Sequence, residues 1–181
     1  MSIDLVRLAK AADYAARRHV NQRRKGEAAE PYVNHLTEVA LLLAEATDGE
    51  DPVLVMGGLL HDTIEDTGTT FADLRERFGT EVAELVVEVS DDKGLPKQER
   101  KRLQVETTVH KSRRAKLLKI ADKTSNLRGL VLSPPAGWTK QRLADYVEWA
   151  GAVVRSCRGL NVALEAEFDH AHAEAKARFG A

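Results

Sequence analysis

The sequence predicts an all-α fold, a single helical bundle of about eight to nine helices that spans residues 1–181. Ala and Leu dominate its apolar residues, aromatic residues make up only 5% of the chain, and no segment shows sustained strand-like alternation. Ala and Leu favour helices, whereas aromatic and β-branched residues favour strands. The length is that of one domain with a full hydrophobic core, and no linker-like segment divides it.

Apolar residues at helical spacing predict the first two helices, at residues 2–19 and about 32–46. In the first, Leu5, Leu8 and Ala12 recur every three or four residues. A polar, basic loop separates the two helices. The second shows the same spacing and ends at an Asp-Gly pair, a typical helix stop.

The third predicted helix, residues 52–67, is apolar all round and is therefore expected to be central and buried. Asp51 is a good N-cap, and Pro52 suits the first helical position. Gly57 and Gly58 each cost about 1 kcal/mol relative to Ala inside a helix. This pair is tolerable where another helix must approach closely.

Turn and cap residues delimit the remaining helices. Thr70 and Thr80 are candidate N-caps of two short helices that Gly79 separates. The segment SPPAG, residues 133–137, interrupts the helical pattern of the C-terminal part. The sequence predicts these further helices at residues 70–78, 80–90, from 96 beyond 104, 112–130, 138–158 and 161–178.

Charge and composition exclude several classes of protein. The formal net charge is -1, whereas a dedicated nucleic-acid-binding domain is normally clearly basic. No apolar stretch is long enough to cross a bilayer, and no secretory leader follows Met1. We therefore expect a cytoplasmic protein with neither nucleic acid nor membrane as a partner. The single cysteine, Cys157, is expected to be a small buried residue, and the oligomeric state is not indicated.

Four titratable residues follow the apolar body of the third helix: His61, Asp62, Glu65 and Asp66. At 100° per residue they fall within an arc of roughly 140° and face one side of a helix. Carboxylates at the end of a buried helix cost several kcal/mol unless something compensates their charge. A divalent cation compensates well, because it binds deprotonated carboxylates and neutral imidazoles.

A lone His-Asp pair is more often a solvated helix end, but two other residues strengthen the metal hypothesis. His35 lies on an earlier helix, in PYVNHL. Asp122 lies on a later helix, in LLKIADKTSNL, and again follows an apolar run. Asn126 is one turn beyond Asp122 on the same face.

The pattern His…His-Asp…Asp resembles the metal-binding set of the HD phosphohydrolase superfamily. Several longer segments narrow the resemblance: RRKGE, PYVNHL, LLHDTIEDT, DDKGLPKQERKRLQ, KIADKTSNLRGL and GWTKQRLADYVEWA. As a set they resemble the hydrolase domain of RelA/SpoT-type alarmone enzymes, in particular the small stand-alone hydrolases of the metazoan SpoT homologue type. The likeness covers nearly the whole chain and implies a single HD hydrolase domain. Leu36 departs from it, because the family usually has Pro after the first metal histidine.

The resemblance implies that one divalent metal ion, most often Mn²⁺, is held by His35, His61, Asp62 and Asp122. Considered without the resemblance, two imidazoles and two carboxylates suit Mn²⁺, Fe²⁺, Co²⁺ or Zn²⁺ equally. The resemblance also implies a catalytic role for Glu65 and Asp66, as the pair that positions or deprotonates the attacking water. A solvated acidic helix end is the alternative interpretation of these two carboxylates.

The substrate implied by the resemblance is guanosine tetra- or pentaphosphate (ppGpp or pppGpp), the small-molecule partner of this chain. Hydrolysis at the 3′ position would give GDP or GTP and pyrophosphate and end the stringent-response signal. The planar guanidinium of Arg24 suits stacking on a purine. Basic residues that flank Asp122 (Lys119, Lys123 and Arg128) add to the cations available for an anionic ligand. The residues predicted to bind substrate are Arg24, Lys25, Asn126, Lys97, Arg102 and Tyr146.

The sequence is compatible with two alternative functions. The first is a phosphatase for another ribose-phosphate nucleotide, such as NADPH. The second is an inactive alarmone-binding sensor, whose sequence sign would be the loss of the metal ligands or of the Glu65-Asp66 pair. Both sets are present in this chain.

Overall fold

The computed structural model describes residues 2–180 and confirms the predicted all-α class. Within these residues it contains ten α-helices, one short 3₁₀ helix at Thr108–His110 and no β-strand. An isolated bridge pairs Arg23 with Pro31 in the first loop. The helices are α1 (Ser2–Arg18), α2 (Val33–Ala46), α3 (Pro52–Leu60), α4 (Thr63–Thr67), α5 (Phe71–Phe78), α6 (Thr80–Val89), α7 (Lys97–Thr107), α8 (Arg113–Leu132), α9 (Lys140–Arg155) and α10 (Val162–Phe179).

Helices α3 and α8 form the centre of the bundle. Every residue of α3 from Leu54 to Leu60 is buried, as its all-round apolar sequence predicts. Helix α3 packs against α1, α2, α6 and α8, and α8 in turn packs against α2, α9 and α10. The core residues fall into two clusters, one around α8 and one around α3. The predicted metal ligands therefore lie at the ends of buried apolar segments or, for Asp122, within one.

The glycine pair in α3 allows two neighbouring helices to approach it. A Cβ atom on Gly58 would lie 3.1 Å from the Cα atom of Ala40 and 2.9 Å from a methyl carbon of Leu43, both on α2. A Cβ atom on Gly57 would lie 2.5 Å from a methyl carbon of Leu85 on α6. The close approach predicted from the sequence is confirmed.

Gly58→Ala is expected to destabilise the protein, because the new methyl group meets the backbone of Ala40, which cannot rotate away. Overpacking of this kind costs about 1–3 kcal/mol, against a gain of about 1 kcal/mol in helix propensity. Because the nearest neighbour is backbone, we take the upper part of that cost and expect the free energy of unfolding, measured in urea, to fall by about 1–2 kcal/mol. Gly137→Ala is the control, since a Cβ there has no neighbour within 4 Å. An unchanged midpoint for Gly58→Ala would contradict this account of the α2–α3 contact.

The helix predicted at residues 52–67 is interrupted at His61 and Asp62, so the prediction of one continuous helix is wrong. Two carbonyl groups of its last turn accept hydrogen bonds from side chains. The His61 ring donates from Nδ1 to the Gly58 carbonyl at 2.8 Å, and the Thr63 hydroxyl donates to the Leu60 carbonyl at 2.6 Å. His61 and Asp62 thus lie in a turn, with Glu65 and Asp66 on the short helix that follows.

Side-chain caps agree with the sequence at two of the three predicted positions. The Asp51 carboxylate accepts a hydrogen bond from the Leu54 amide at the start of α3. Thr70 and Asp73 form a reciprocal capping box at the start of α5. Thr80 is not a cap, because it is already the first residue of α6.

The structure of residues 2–180 bears on two expectations from composition, the lack of a membrane-spanning helix and the burial of Cys157. In this part of the chain, no helix combines the length and the apolar character needed to cross a bilayer. Cys157 is fully buried, as expected, and burial raises the pKa of its thiol to about 11.

Candidate active site

The four residues predicted to hold a metal ion converge from three parts of the chain. His35 comes from α2, His61 and Asp62 from the turn between α3 and α4, and Asp122 from α8. The Nε2 atom of His35 lies 3.4 Å from Asp122 Oδ1 and 3.8 Å from Asp62 Oδ2. The Nε2 atom of His61 lies 3.1 Å from Asp62 Oδ2 and 3.7 Å from Asp122 Oδ1. Two imidazole nitrogens and two carboxylate oxygens therefore face one small volume.

The two histidines present lone pairs to this volume. Both Nε2 atoms are buried and lack a hydrogen-bond partner, since even the 3.1 Å approach of His61 to Asp62 lacks hydrogen-bond geometry. An unpaired buried polar atom costs about 1–3 kcal/mol. The His61 ring donates from Nδ1 to a backbone carbonyl, which leaves Nε2 of the neutral ring as an acceptor. This donor set suits a divalent cation.

The pKa values of the two histidines are shifted in opposite directions, by burial at His35 and by nearby carboxylates at His61. Burial dominates at His35 and lowers the pKa of its imidazole. Burial also acts to lower the pKa of His61, but the carboxylates of Asp62 and Asp122 outweigh it and raise that pKa to about 10. The carboxylates of Asp62 and Asp122 therefore favour positive charge beside His61, which a divalent cation would supply.

Asp122 is held by two neighbours on its own helix. Lys123 donates to Oδ2 at 2.8 Å, and the Asn126 amide donates to Oδ1 at 2.6 Å. Burial opposes the charged form of Asp122, but the Lys123 ammonium and the imidazoles lower its pKa well below the ordinary range. Asp122 is therefore an ionised carboxylate with a fixed orientation.

Tyr32 contacts Asp62 and was not predicted from the sequence. Its hydroxyl donates to Asp62 Oδ2 at 2.6 Å. Burial, followed by the charge of Asp62, raises the pKa of the Tyr32 phenol far above its ordinary value. The available signal was its position three residues before His35, on the same side of a helical turn.

Glu65 is held at the edge of the site by the loop after α6 and by α7. Its Oε2 accepts the backbone N–H of Asp91 at 3.2 Å, and its Oε1 lies 3.5 Å from Nη1 of Arg100. Burial, followed by the charge of Asp62, raises the pKa of the Glu65 carboxyl. A carboxyl with a raised pKa exchanges protons closer to neutral pH than an ordinary one.

Asp66 has different partners from Glu65. Its Oδ2 accepts from the side-chain amide of Gln22 at 2.7 Å, and its Oδ1 pairs with the ammonium group of Lys93. Neither partner was predicted, since Gln22 and Lys93 lie in loops and are brought to Asp66 only by the fold.

A cavity of about 410 Å³ opens beside these carboxylates. Both Glu65 and Asp66 line it, together with five of the six residues predicted to bind substrate. Arg24 donates from Nη2 to Asn126 Oδ1 at 3.0 Å and lies over the ring of Tyr32. The five predicted residues in the cavity wall are Arg24, Lys25, Lys97, Asn126 and Tyr146.

Arg102 is the predicted substrate residue that the structure does not bring to this cavity. Its guanidinium pairs with Glu99 and Glu106 on its own helix, and 52% of its side chain is exposed. Arg100 and Lys101, from the same helix, line the cavity instead. Helical geometry accounts for the difference, because Arg102 points about 200° away from Arg100.

The basic residues that flank Asp122 bond to other groups of the protein and do not line the cavity. Lys119 is buried and donates to the Val89 carbonyl at 2.8 Å. Lys123 pairs with Asp122, and Arg128 pairs with Glu38. The cations of the cavity therefore come from the first loop and α7, and not from α8.

A helical bundle in which a histidine, a His-Asp pair and a further aspartate converge defines a class, the HD domains. Residues 11–147 match the HD domain family, and the chain belongs to that family. HD-domain hydrolases bind a divalent metal ion, and His35, His61 and Asp62 form a possible site for one here.

Within the family, the chain is similar to small proteins of nearly its own length. It is 47% identical to the guanosine-3′,5′-bis(diphosphate) 3′-pyrophosphohydrolase MESH1 of Xenopus tropicalis, over 94% of this chain and 95% of that protein. Identity to the Homo sapiens MESH1 is 48%, with the same coverage. A solved structure of a metazoan orthologue of SpoT, described as hydrolysing ppGpp, matches with a TM-score of 0.89 and 45% identity over 93% of this chain and 94% of that one.

Proposed function

We propose that this protein hydrolyses guanosine 3′,5′-bis(diphosphate), and the corresponding pentaphosphate, at the 3′ position to give GDP or GTP and pyrophosphate. The observation that carries the proposal is the convergence of two unpaired imidazole nitrogens and two carboxylates beside a cavity lined by cations. Similarity over nearly the full length to proteins with this named activity supports it. The reaction would end an alarmone signal.

His35, His61, Asp62 and Asp122 would hold the divalent ion, and we propose Mn²⁺ for it. Nitrogen and oxygen donors without a thiolate are consistent with this choice, since Cys157 is buried in the core cluster around α8. When bound, such an ion lowers the pKa of water and polarises a phosphoryl oxygen. Tyr32, Asn126 and Lys123 orient the two carboxylates.

Glu65 would accept a proton from the attacking water, and Asp66 would position that water or the substrate. The raised pKa of Glu65 supports its role as the proton acceptor, because it brings that carboxyl closer to neutral pH. The Asp91 amide and Arg100 fix the direction of the Glu65 carboxylate. The Asp66 carboxylate pairs with the ammonium group of Lys93.

Arg24 would bind the guanine base, with Lys25 and Lys97 facing the phosphates. The guanidinium of Arg24 already has one orienting hydrogen bond, to Asn126. Its Cζ atom lies over the Tyr32 ring, 5.7 Å from the centroid. Tyr146 packs between Trp138 and Trp149 and gives the cavity an aromatic wall.

Arg24→Ala is expected to weaken substrate binding more than it slows the chemical step. Loss of one charge-assisted contact of about 1.5–3 kcal/mol corresponds to a rise in KM of roughly 10–100-fold, with kcat changed much less. Steady-state kinetics with ppGpp would measure both constants. Arg155→Ala removes an exposed arginine at the end of α9 and serves as the control. A fall in kcat at unchanged KM would contradict the binding role.

Product analysis tests the whole proposal. The purified protein is incubated with Mn²⁺ and either ppGpp or NADPH, and the products are separated by anion-exchange chromatography. We expect GDP and pyrophosphate from ppGpp at the higher rate. Faster release of phosphate from NADPH would show that NADPH, and not ppGpp, is the preferred substrate. Tight binding of ppGpp without turnover would indicate an inactive sensor.

A further inference from the structure

The second ring nitrogen of His35 begins a chain of polar contacts that crosses from α2 to α8. Its Nδ1 lies 2.8 Å from the hydroxyl oxygen of Ser125, and both groups are buried. The Ser125 hydroxyl donates to Glu38 Oε2 at 2.6 Å. The other oxygen of Glu38 accepts from Arg128 Nη1 at 3.2 Å.

The direction of these hydrogen bonds is set at the Glu38 end. A carboxylate has only acceptor atoms, whereas a serine hydroxyl has a single proton to donate. Because that proton goes to Glu38, Ser125 faces His35 with a lone pair. The His35 ring must then donate from Nδ1, so its Nε2 carries no proton.

We propose that Glu38 and Ser125 are positioning residues that hold His35 in the tautomer whose Nε2 is free to bind a metal ion. The inference rests on the proposed metal site. In His61 the Nδ1 atom donates to the backbone carbonyl of Gly58, which fixes the same tautomer. No side-chain substitution removes that carbonyl. His35 has no such backbone acceptor and depends on these two side chains. Partners of this kind are typically worth 10–100-fold in metal affinity.

Glu38→Gln is the most informative variant, because it reverses the direction of the hydrogen bonds between residue 38 and His35 and leaves the shape of the side chain almost unchanged. Arg128 pairs with Glu167 through Nη2 and with Glu38 through Nη1, so in the variant Nη1 still needs an acceptor. The amide oxygen of the new side chain would therefore face Nη1 of Arg128, and its NH₂ group would face Ser125. The serine would then accept from the amide and donate to His35 Nδ1. The ring proton would move to Nε2, where Asp122 Oδ1, 3.4 Å away, can accept it.

Two measurements on the full chain test this inference. The affinity for Mn²⁺ alone is measured by competition with a chelating dye, and we expect a 10–100-fold loss in Glu38→Gln and Ser125→Ala. Histidine ring ¹H–¹⁵N correlation spectra of the metal-free protein report the tautomer. We expect His35 protonated at Nδ1 in the wild type and at Nε2 in Glu38→Gln.

Thr124→Val is the matched control. It removes a buried hydroxyl from the neighbouring residue of α8, but that hydroxyl donates to the Ile120 carbonyl and does not contact His35. Thermal unfolding of Thr124→Val and Ser125→Ala separates lost stability from lost affinity. We expect both variants to be destabilised and only Ser125→Ala to lose Mn²⁺.

The two proposals fail in different ways. If the wild type binds no Mn²⁺ with its four proposed ligands intact, the metal-dependent function is wrong. If the wild type binds Mn²⁺ and hydrolyses ppGpp while Glu38→Gln keeps wild-type affinity and an Nδ1-protonated His35, the positioning role alone is overturned.

Discussion

Asp62→Ala is expected to abolish metal binding and hydrolysis together. Oδ2 of Asp62 lies within 4 Å of both imidazole Nε2 atoms and also accepts a hydrogen bond from Tyr32. Several kcal/mol of transition-state stabilisation depend on a bound cation, and each 1.36 kcal/mol is a factor of ten. We therefore expect kcat/KM for ppGpp to fall by roughly 10³-fold or more, with the metal content of the purified protein close to zero.

Asp13→Ala is the control for this variant. Asp13 is an exposed carboxylate whose partner is Arg17 on the same helix, so its loss removes a negative charge away from the site. Elemental analysis and circular dichroism are measured on both variants. A helical Asp62→Ala protein that retains a stoichiometric metal ion would contradict the assignment of Asp62 as a ligand.

The sequence was sufficient to predict the all-α class and the convergence of the four residues proposed as metal ligands. The reason is that His35, His61 and Asp122 each lie on, or at the end of, an apolar helical segment. Burial of those segments against each other brings the polar residues together without any detailed knowledge of the packing. The resemblance to alarmone hydrolases narrowed the chemistry, and five of its six substrate residues line one cavity.

Local geometry could not be predicted, because it depends on contacts between distant segments. The break at His61 exists because the ring of that residue and the Thr63 hydroxyl bond carbonyls of the preceding turn. The periodicity of the sequence shows no such break. Arg102 was predicted to bind substrate phosphates, and its pairing with Glu99 and Glu106 on α7 is a contact that the run of basic residues does not indicate.

The hydrogen-bond partners of the site residues could not be predicted from the sequence either. Lys93 reaches Asp66 from a loop 27 residues further along the chain, and Ser125 connects His35 to Glu38 across two helices. Loop lysines and single serines occur throughout soluble proteins, so neither residue type carries a signal by itself. Only the fold shows which carboxylate or imidazole each one contacts.

Glu65→Gln is expected to keep the metal ion and lose turnover. The amide has nearly the shape of the carboxyl and can still accept the Asp91 N–H through its oxygen, but it cannot take a proton from water. General acid–base catalysis contributes about 10²–10⁴-fold, and we expect kcat for ppGpp to fall by that factor. The KM and the affinity for Mn²⁺ should change little, because the hydrogen-bond partners of Glu65 are the Asp91 amide and Arg100 rather than the proposed metal ligands.

Comparison of Glu65→Gln with Asp62→Ala separates loss of the metal ion from loss of proton transfer. Both variants lose activity, but only Asp62→Ala should lose the metal, so the two losses separate binding of the cation from proton transfer. Glu174→Gln, at an exposed position of α10, controls for removal of a glutamate charge. Near wild-type kcat in Glu65→Gln would exclude Glu65 as the proton acceptor and leave Asp66, the other carboxylate of the proposed catalytic pair, as the next candidate. A loss of Mn²⁺ would instead assign Glu65 to the metal site.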